Sequence, residues 1–295
     1  MSYGYENQNS TPFDEERRQA FIKESQKNKE KCRQLSDQMA MRVAGSGTAF
    51  KTFLDVLTQF DRYTSNNALL ITAQKPNAKK LGDYNFWKSK NIWIEKDQLQ
   101  YPILVMEPGK EYVKADGSHG KYYNAKKLYD ISQTADKDKE ITAVTYDERQ
   151  LVRALVNNAP AMIVSMEADS MPDGKTAMFV STEQKIYARK GMSASELFAT
   201  LTPELIYAEY AKDYRDPTKF SKEKYEFNAY CATYMICKKY GLDTRGFTFE
   251  KAPDHFQGKD VKGIKQELSR MKEAMDKISG RMRKVLEAER AGTAR

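Results

Sequence analysis

Glu204 stands where a hydrolytic metal site places its water-polarising carboxylate. In a helix reading His-Glu-x-x-His, imidazoles at i and i+4 share one face and bind zinc, and the intervening Glu polarises the bound water. The frame Pro203-Glu204-Leu205-Ile206-Tyr207 fills those five positions on a segment with helical patterning; the Glu is kept and both histidines are absent. A lone carboxylate without a metal has no water to activate, so the reading is a non-enzymatic chain with no catalytic residue, no metal and no cofactor. Pro203 inside a helix removes a hydrogen bond and predicts a bend or restart there.

The rest of the chain supplies no replacement ligands. It has two histidines, His119 and His255, in different halves. Its three cysteines, Cys32, Cys231 and Cys237, have neither metal nor disulfide spacing and read as reduced thiols packed as small hydrophobes.

A second chemistry is written in residues 79–96. Lys79, Lys80, Lys88, Lys90 and Lys96 stand against Asp83 and Glu95, with Tyr84, Phe86, Trp87 and Trp93 interleaved. Single-stranded nucleic acid needs positive charge along its backbone and exposed rings for its bases. Just upstream, Tyr63, Asn66, Asn67 and Gln74 can hydrogen-bond phosphates or base edges. Structural roles compete for the same residues: Trp87 and Trp93 as core, Asn66 or Asn67 as a helix cap, the lysines as a solvated face. A second run, Lys121-Tyr122-Tyr123 with Lys126-Lys127, either extends the basic surface or protects an edge strand.

The chain has 295 residues, 40% hydrophobic and 31% charged, with a formal net charge of +8. That is enough for two ordinary domains and points modestly to a polyanionic partner. Met1–Pro12 is polar and no run of about 18 apolar residues exists. The expectation is a cytoplasmic protein without a membrane partner.

The elements that must position these groups read as follows. Residues 1–13 read as disordered and 14–41 as a charged helix. Gly45-Ser46-Gly47 breaks it, and Phe50, Phe53, Leu54, Leu57 and Phe60 repeat at helical spacing. A second helix ends before Pro76, and 83–88 is a short one. Residues 92–94 and 103–106 read as strands, with one or two more around Asp116-Gly117-Ser118. Residues 135–140 are a polar linker. A helix near 147–158, a strand at 161–166 and a hairpin of 177–180 with 185–188 follow. Ser193 with Glu196 forms a capping box opening a helix to about Lys212. A further helix, 222–240, stops at Gly241, and 260–290 carries one apolar face.

The run Phe53-Leu54-x8-Tyr63-Thr64-Ser65-Asn66-Asn67-Ala68-Leu69-Leu70-Ile71-x2-Gln74-x-Pro76-x-Ala78 resembles the N-terminal domain of ArdC-type antirestriction proteins. The likeness continues through Trp87, Trp93, Ile103-Leu104-x3-Pro108 and Tyr129-Asp130-Ile131-Ser132-Gln133-Thr134. Ile186-Tyr187-x-Arg189-Lys190-Gly191-Met192-Ser193 and Tyr234-x2-Cys237-x2-Tyr240-Gly241-Leu242-Asp243-Thr244 continue it further on. The resemblance implies single-stranded-DNA binding, antirestriction, and residence on a plasmid, transposon or phage. It implies an α+β chain: an N-terminal α+β DNA-binding domain at 48–134, a degenerate zincin-like α/β domain at 135–258, and flanking segments at 1–47 and 259–295. It places the two His ligands on Pro203 and Tyr207 and the third, acidic ligand on Tyr230 or Asn228; only Glu204 is kept. The expected DNA contacts are Tyr63, Asn66, Asn67, Gln74, Lys79, Lys80, Trp87, Lys88, Lys90 and Trp93. The competing expectation is a pseudo-peptidase scaffold that recruits a conjugation or phage protein.

Overall fold

A computed structural model describes residues 12–137 and 144–293. The segment 1–11 and half of the expected linker at 135–140 lie outside them. In chain order the elements are α1 (Pro12–Gly45), α2 (Gly47–Gln59), α3 (Ser65–Gln74), β1 (Leu81–Gly82), α4 (Tyr84–Ser89), β2 (Ile103–Val113), β3 (His119–Asp130) and α5 (Glu148–Val156). They continue with β4 (Met162–Met166), β5 (Ala177–Val180), β6 (Lys185–Arg189), α6 (Ala194–Ala211), α7 (Glu226–Lys239), α8 (Ala252–Phe256) and α9 (Val261–Thr293). The chain is α+β, with two small three-stranded sheets.

Two compact units are present, and they do not follow the expected segments. The described part of one comprises residues 12–39 and 69–137; that of the other comprises 40–68 and 144–293. The divisions fall inside α1 and α3. The reason lies in where apolar faces are buried. Phe50 of α2 stacks on Phe227 of α7 with centroids 5.5 Å apart and lies 5.6 Å from Phe256 of α8, which joins α2 to the later helices. Likewise α9 is no appendage: Ile264, Leu268, Met271, Met275, Ile278, Met282 and Leu286 are buried, and the helix packs on α5, α6 and α7.

In the first unit the sheet order is β1-β3-β2, all antiparallel. β2 and β3 form one long hairpin turning at Gly117, whose φ of 79° suits glycine. The strand expected at 92–94 is not formed. Ile92 instead closes α4, and Ile94 makes a single bridge to Thr134. Two apolar clusters hold the unit: Trp87, Ile92, Ile94, Tyr129 and Ile131, and separately Cys32, Leu70 and Leu104 with Leu35 packed against them. The charged helix α1 is therefore a strut whose Cys32–Leu35 turn is anchored.

In the second unit β4 runs parallel and β5 antiparallel to the central β6, so β5 lies at an edge. α6 packs on β5, β6, α5, α7 and α9. Its start follows the expected capping box: Ser193 Oγ accepts from the Glu196 N–H, and the Glu196 carboxylate accepts from the Ser193 N–H at 2.8 Å. α7 ends at Gly241, φ 74°, with the Leu242 N–H donating to the Cys237 carbonyl. Cys32, Cys231 and Cys237 are buried free thiols.

Candidate functional site

The Glu204 position is built by α6, the edge strand β5 and the connection from α6 to α7. α6 runs through Pro203 in one piece from Ala194 to Ala211, so the expected restart does not occur. Surrounding packing holds it: Leu201, Thr202, Leu205 and Ile206 are all buried. One Glu204 oxygen, Oε2, accepts from the Phe179 N–H at 2.6 Å and from the Lys222 ammonium at 2.7 Å. Lys222 Nζ also lies 5.1 Å from the centroid of the Tyr207 ring. Burial pushes the Tyr207 phenol up to about 12, and the carboxylates of Glu204, Glu226 and Glu223 add to the shift.

The α6–α7 connection also carries a chain of packed rings. Tyr210 stacks on Tyr225 at 4.3 Å, Tyr225 on Phe220 at 5.8 Å, and Phe220 meets Phe179 edge-on at 5.9 Å. Ser181 Oγ donates to the Pro217 carbonyl, tying the same connection to the end of β5. Tyr230 and Asn228 are engaged elsewhere. The Tyr230 hydroxyl accepts from the Thr248 N–H at 2.8 Å, and its ring packs on Phe247 and Phe249. Asn228 is buried, with Nδ2 3.3 Å from Glu267, which also faces His255 Nε2 at 3.8 Å. Among the described residues no group of three or more His, Cys, Asp or Glu is arranged to hold a metal ion. His119 and His255 fall in different units.

Lys222 had no sequence signal for this contact. The sequence placed it only as the first residue of a helix at 222–240; α7 starts at Glu226, and Lys222 is left in the α6–α7 connection, on Glu204.

The basic-aromatic segment belongs to the first unit. Asp83 caps α4 by accepting from the Phe86 N–H at 2.7 Å and pairs with Lys126 at 2.9 Å. The Phe86 N–H and the Lys126 ammonium hold its carboxyl below the ordinary aspartate range. The helix ends with Asn91 at φ 56°, a left-handed position that Asn tolerates, while the N–H groups of Asn91 and Ile92 donate back to the Lys88 and Trp87 carbonyls. This geometry separates the two tryptophans. Trp87 is 0% exposed and its Nε1 donates to the Tyr129 carbonyl at 3.0 Å, so it offers no face to a base and the stacking expectation for it is corrected. Trp93 is 53% exposed and Tyr84 48% exposed.

Lys79, Lys80, Lys88 and Lys90 are exposed. The first two are aimed by their backbone, since both N–H groups donate to Asp130 Oδ1. Lys80 Nζ lies 6.0 Å from the Trp87 ring centroid. Glu95, the other carboxylate in the run, pairs with Lys137 at 3.1 Å.

The upstream residues are placed differently from the expectation. Gln74 Nε2 donates to the Leu70 and Leu104 carbonyls and its Oε1 accepts from the Leu104 N–H, so its amide is used within the fold. Tyr63, Asn66 and Asn67 belong to the second unit. There Asn67 is buried, and Thr64 Oγ1 accepts from its N–H. The helix cap expected at Asn66 or Asn67 is therefore Thr64. Tyr63 packs edge-on against Phe60 at 6.3 Å.

No family profile matches the chain, and no curated protein does. Two solved structures are similar in fold, both of the antirestriction ArdC protein from plasmid R388. The Mn(II)-bound structure superposes with a TM-score of 0.54 at 14% identity, covering 84% of this chain and 98% of that one. The metal-free structure gives 0.47 at 16% identity, covering 75% and 86%. The superposition with the Mn(II)-bound structure shows the fold: the chain has the α+β architecture of the ArdC antirestriction protein. The α+β class that the sequence resemblance implied is thus the class observed.

Proposed function

We propose that this chain is a non-enzymatic, single-stranded-DNA-binding protein of antirestriction type, carried by a mobile genetic element. The observation that carries the reading is the pairing of exposed rings with uncompensated lysines in the first unit. Trp93 and Tyr84 are open to solvent, Lys88 and Lys90 lie between them in sequence, and the two nearby carboxylates already have partners in Lys126 and Lys137. Such a surface favours a single strand, whose bases stack on any ring and whose phosphates attract ammonium groups. The fold likeness to a plasmid antirestriction protein supports the same direction.

The R388 protein's structure holds Mn(II). The Glu204 position in this chain does not fit such an ion. An ammonium sits on the carboxylate, a phenol and a pyrrolidine stand at the two remaining motif positions, and the strand N–H uses the same oxygen. A cation brought there would meet Lys222 first. No metal-dependent step is assigned, and the second unit is read as a packed pseudo-peptidase.

Mobility shift of a labelled oligonucleotide tests the reading. The expected outcome is binding at low salt that weakens steeply as salt rises, since bound lysines release counterions. Absence of a shift at low salt would refute it.

A further inference from the structure

The first unit contains a groove of about 740 Å³ in which no expected DNA-binding residue except Gln74 takes part. One wall is a stripe of α1: Glu24, Lys27, Asn28 and Lys31 lie at i, i+3, i+4 and i+7 and so share a face. Lys75 and Lys127 add charge from α3's exit and from β3. Glu24 is the single carboxylate among the lining residues, and it is already paired with Lys127 at 2.7 Å. The ammonium groups of Lys27, Lys31 and Lys75 are left as excess positive charge in a concave site.

The opposite wall is the segment 98–104, and it is fixed from behind. The Tyr129 hydroxyl donates to the Leu99 carbonyl at 3.0 Å. Gln133 Nε2 donates to the Tyr101 carbonyl at 2.9 Å, and the Leu104 N–H donates to Gln74 Oε1 at 3.0 Å. Side chains spend their hydrogen bonds on the backbone here, and the result is a loop that turns Tyr101 outward, 62% exposed. A large ring held out in water at the rim of a basic groove offers a free face on which a base can stack.

We propose that this groove is a binding track for single-stranded DNA: phosphates lie on Lys27, Lys31 and Lys75, and a base stacks on Tyr101. The inference rests on the DNA-binding reading above and assigns a site that the segment 79–96 does not include. The pinned loop means that little ordering remains to be done on binding.

The test is fluorescence anisotropy of a labelled oligothymidine with the full chain, over a salt series. The variants are Lys27→Gln/Lys31→Gln/Lys75→Gln, Tyr101→Ala and Trp93→Ala, with Lys29→Gln/Arg33→Gln on another face of α1 as a charge control. Loss of three phosphate contacts should lower the magnitude of the log–log salt slope by about 2, at roughly 0.7 per contact for a single strand. Tyr101→Ala should weaken binding roughly ten-fold. If the wild type binds and Trp93→Ala weakens it while the groove variants keep affinity and slope, the groove is wrong and the DNA-binding reading stands. If the wild type does not bind at low salt, the reading itself fails and the groove with it. Inorganic phosphate and thymidine monophosphate serve as competitors. Displacement by either at matched phosphate concentration would assign the groove to free anions and overturn the proposal.

Discussion

The Lys222 ammonium lies 2.7 Å from Glu204 Oε2, on the carboxylate that a metallopeptidase frame reserves for polarising water. The pair is largely withdrawn from solvent, with the Glu204 side chain 13% exposed. Breaking it leaves a poorly solvated charge on one partner. Lys222→Met should therefore destabilise the fold by about 1–3 kcal/mol. Glu204→Gln should cost less, because the amide oxygen still accepts the Phe179 N–H. Denaturant midpoints decide this, and an unchanged midpoint in Lys222→Met would show that the pair holds nothing.

The same contact bears on metal affinity. Purified wild type dialysed against Zn(II) or Mn(II) should retain no stoichiometric ion by elemental analysis. Pro203→His/Tyr207→His restores the motif side chains yet keeps the competing ammonium. Adding Lys222→Ala should raise zinc affinity above that double variant. Equal affinity in the two would mean that Lys222 does not guard the position. Near-ultraviolet circular dichroism establishes that each variant is folded.

The chain has two tryptophans, one fully buried and one exposed, so replacing one at a time assigns the emission to each. DNA should quench wild-type fluorescence through Trp93, and Trp93→Phe should abolish the quench. Trp93→Ala should weaken binding by about 1–3 kcal/mol at little cost in stability. Trp87→Ala should do the reverse, costing about 3–5 kcal/mol of stability through the cavity it leaves. Quenching that survives Trp93→Phe would contradict the assignment.

Glu267 gives a pH signature. The His255 imidazole beside it, with Asn228 and Arg270 adding, holds its carboxyl down to about 2 against an ordinary value of 4.5. A depressed folded-state value stabilises the fold above the unfolded value, and that stabilisation is lost as protons are taken up on the way down. Stability should therefore fall between about pH 4.5 and pH 2. The Glu267 side chain is 13% exposed, but its partners His255 and Arg270 lie nearer solvent, and screening there reduces the effect to on the order of 1–2 kcal/mol. Glu267→Gln should flatten the decline in that window. A wild type and variant with parallel acid profiles would remove Glu267 from the account.

Local signals in the sequence were readable because their physics is local. The Ser193–Glu196 box, the turn at Gly117, the stop at Gly241 and the apolar stripe of α9 each depend on a few neighbouring residues, and each is where the pattern puts it. The division of the units was not readable, because it depends on Phe50 meeting Phe227 and Phe256 across the chain. The opposite fates of Trp87 and Trp93 were not readable either. They are six residues apart in one lysine-rich run, and the left-handed Asn91 decides which faces inward. The cap at Thr64 was missed because Thr, Ser and Asn stand side by side there, and Asn is ordinarily a better cap than Thr. Tyr101 sits in a connection without periodic pattern, and Lys222 falls just short of the helix the pattern started with it, so only the hydrogen bonds of the folded chain give them a place.

β5 is an outer strand, and the Phe179 N–H that it turns away from β6 ends on Glu204. Outer strands invite a further strand, from a peptide or from another copy of the same chain, unless something occupies their donors. The glutamate thus occupies an outward donor at the middle of that border strand, a task that needs an oxygen and no metal. For a chain of this architecture, finding a glutamate at that spot is therefore uninformative about hydrolysis; what its oxygens are holding is the informative question.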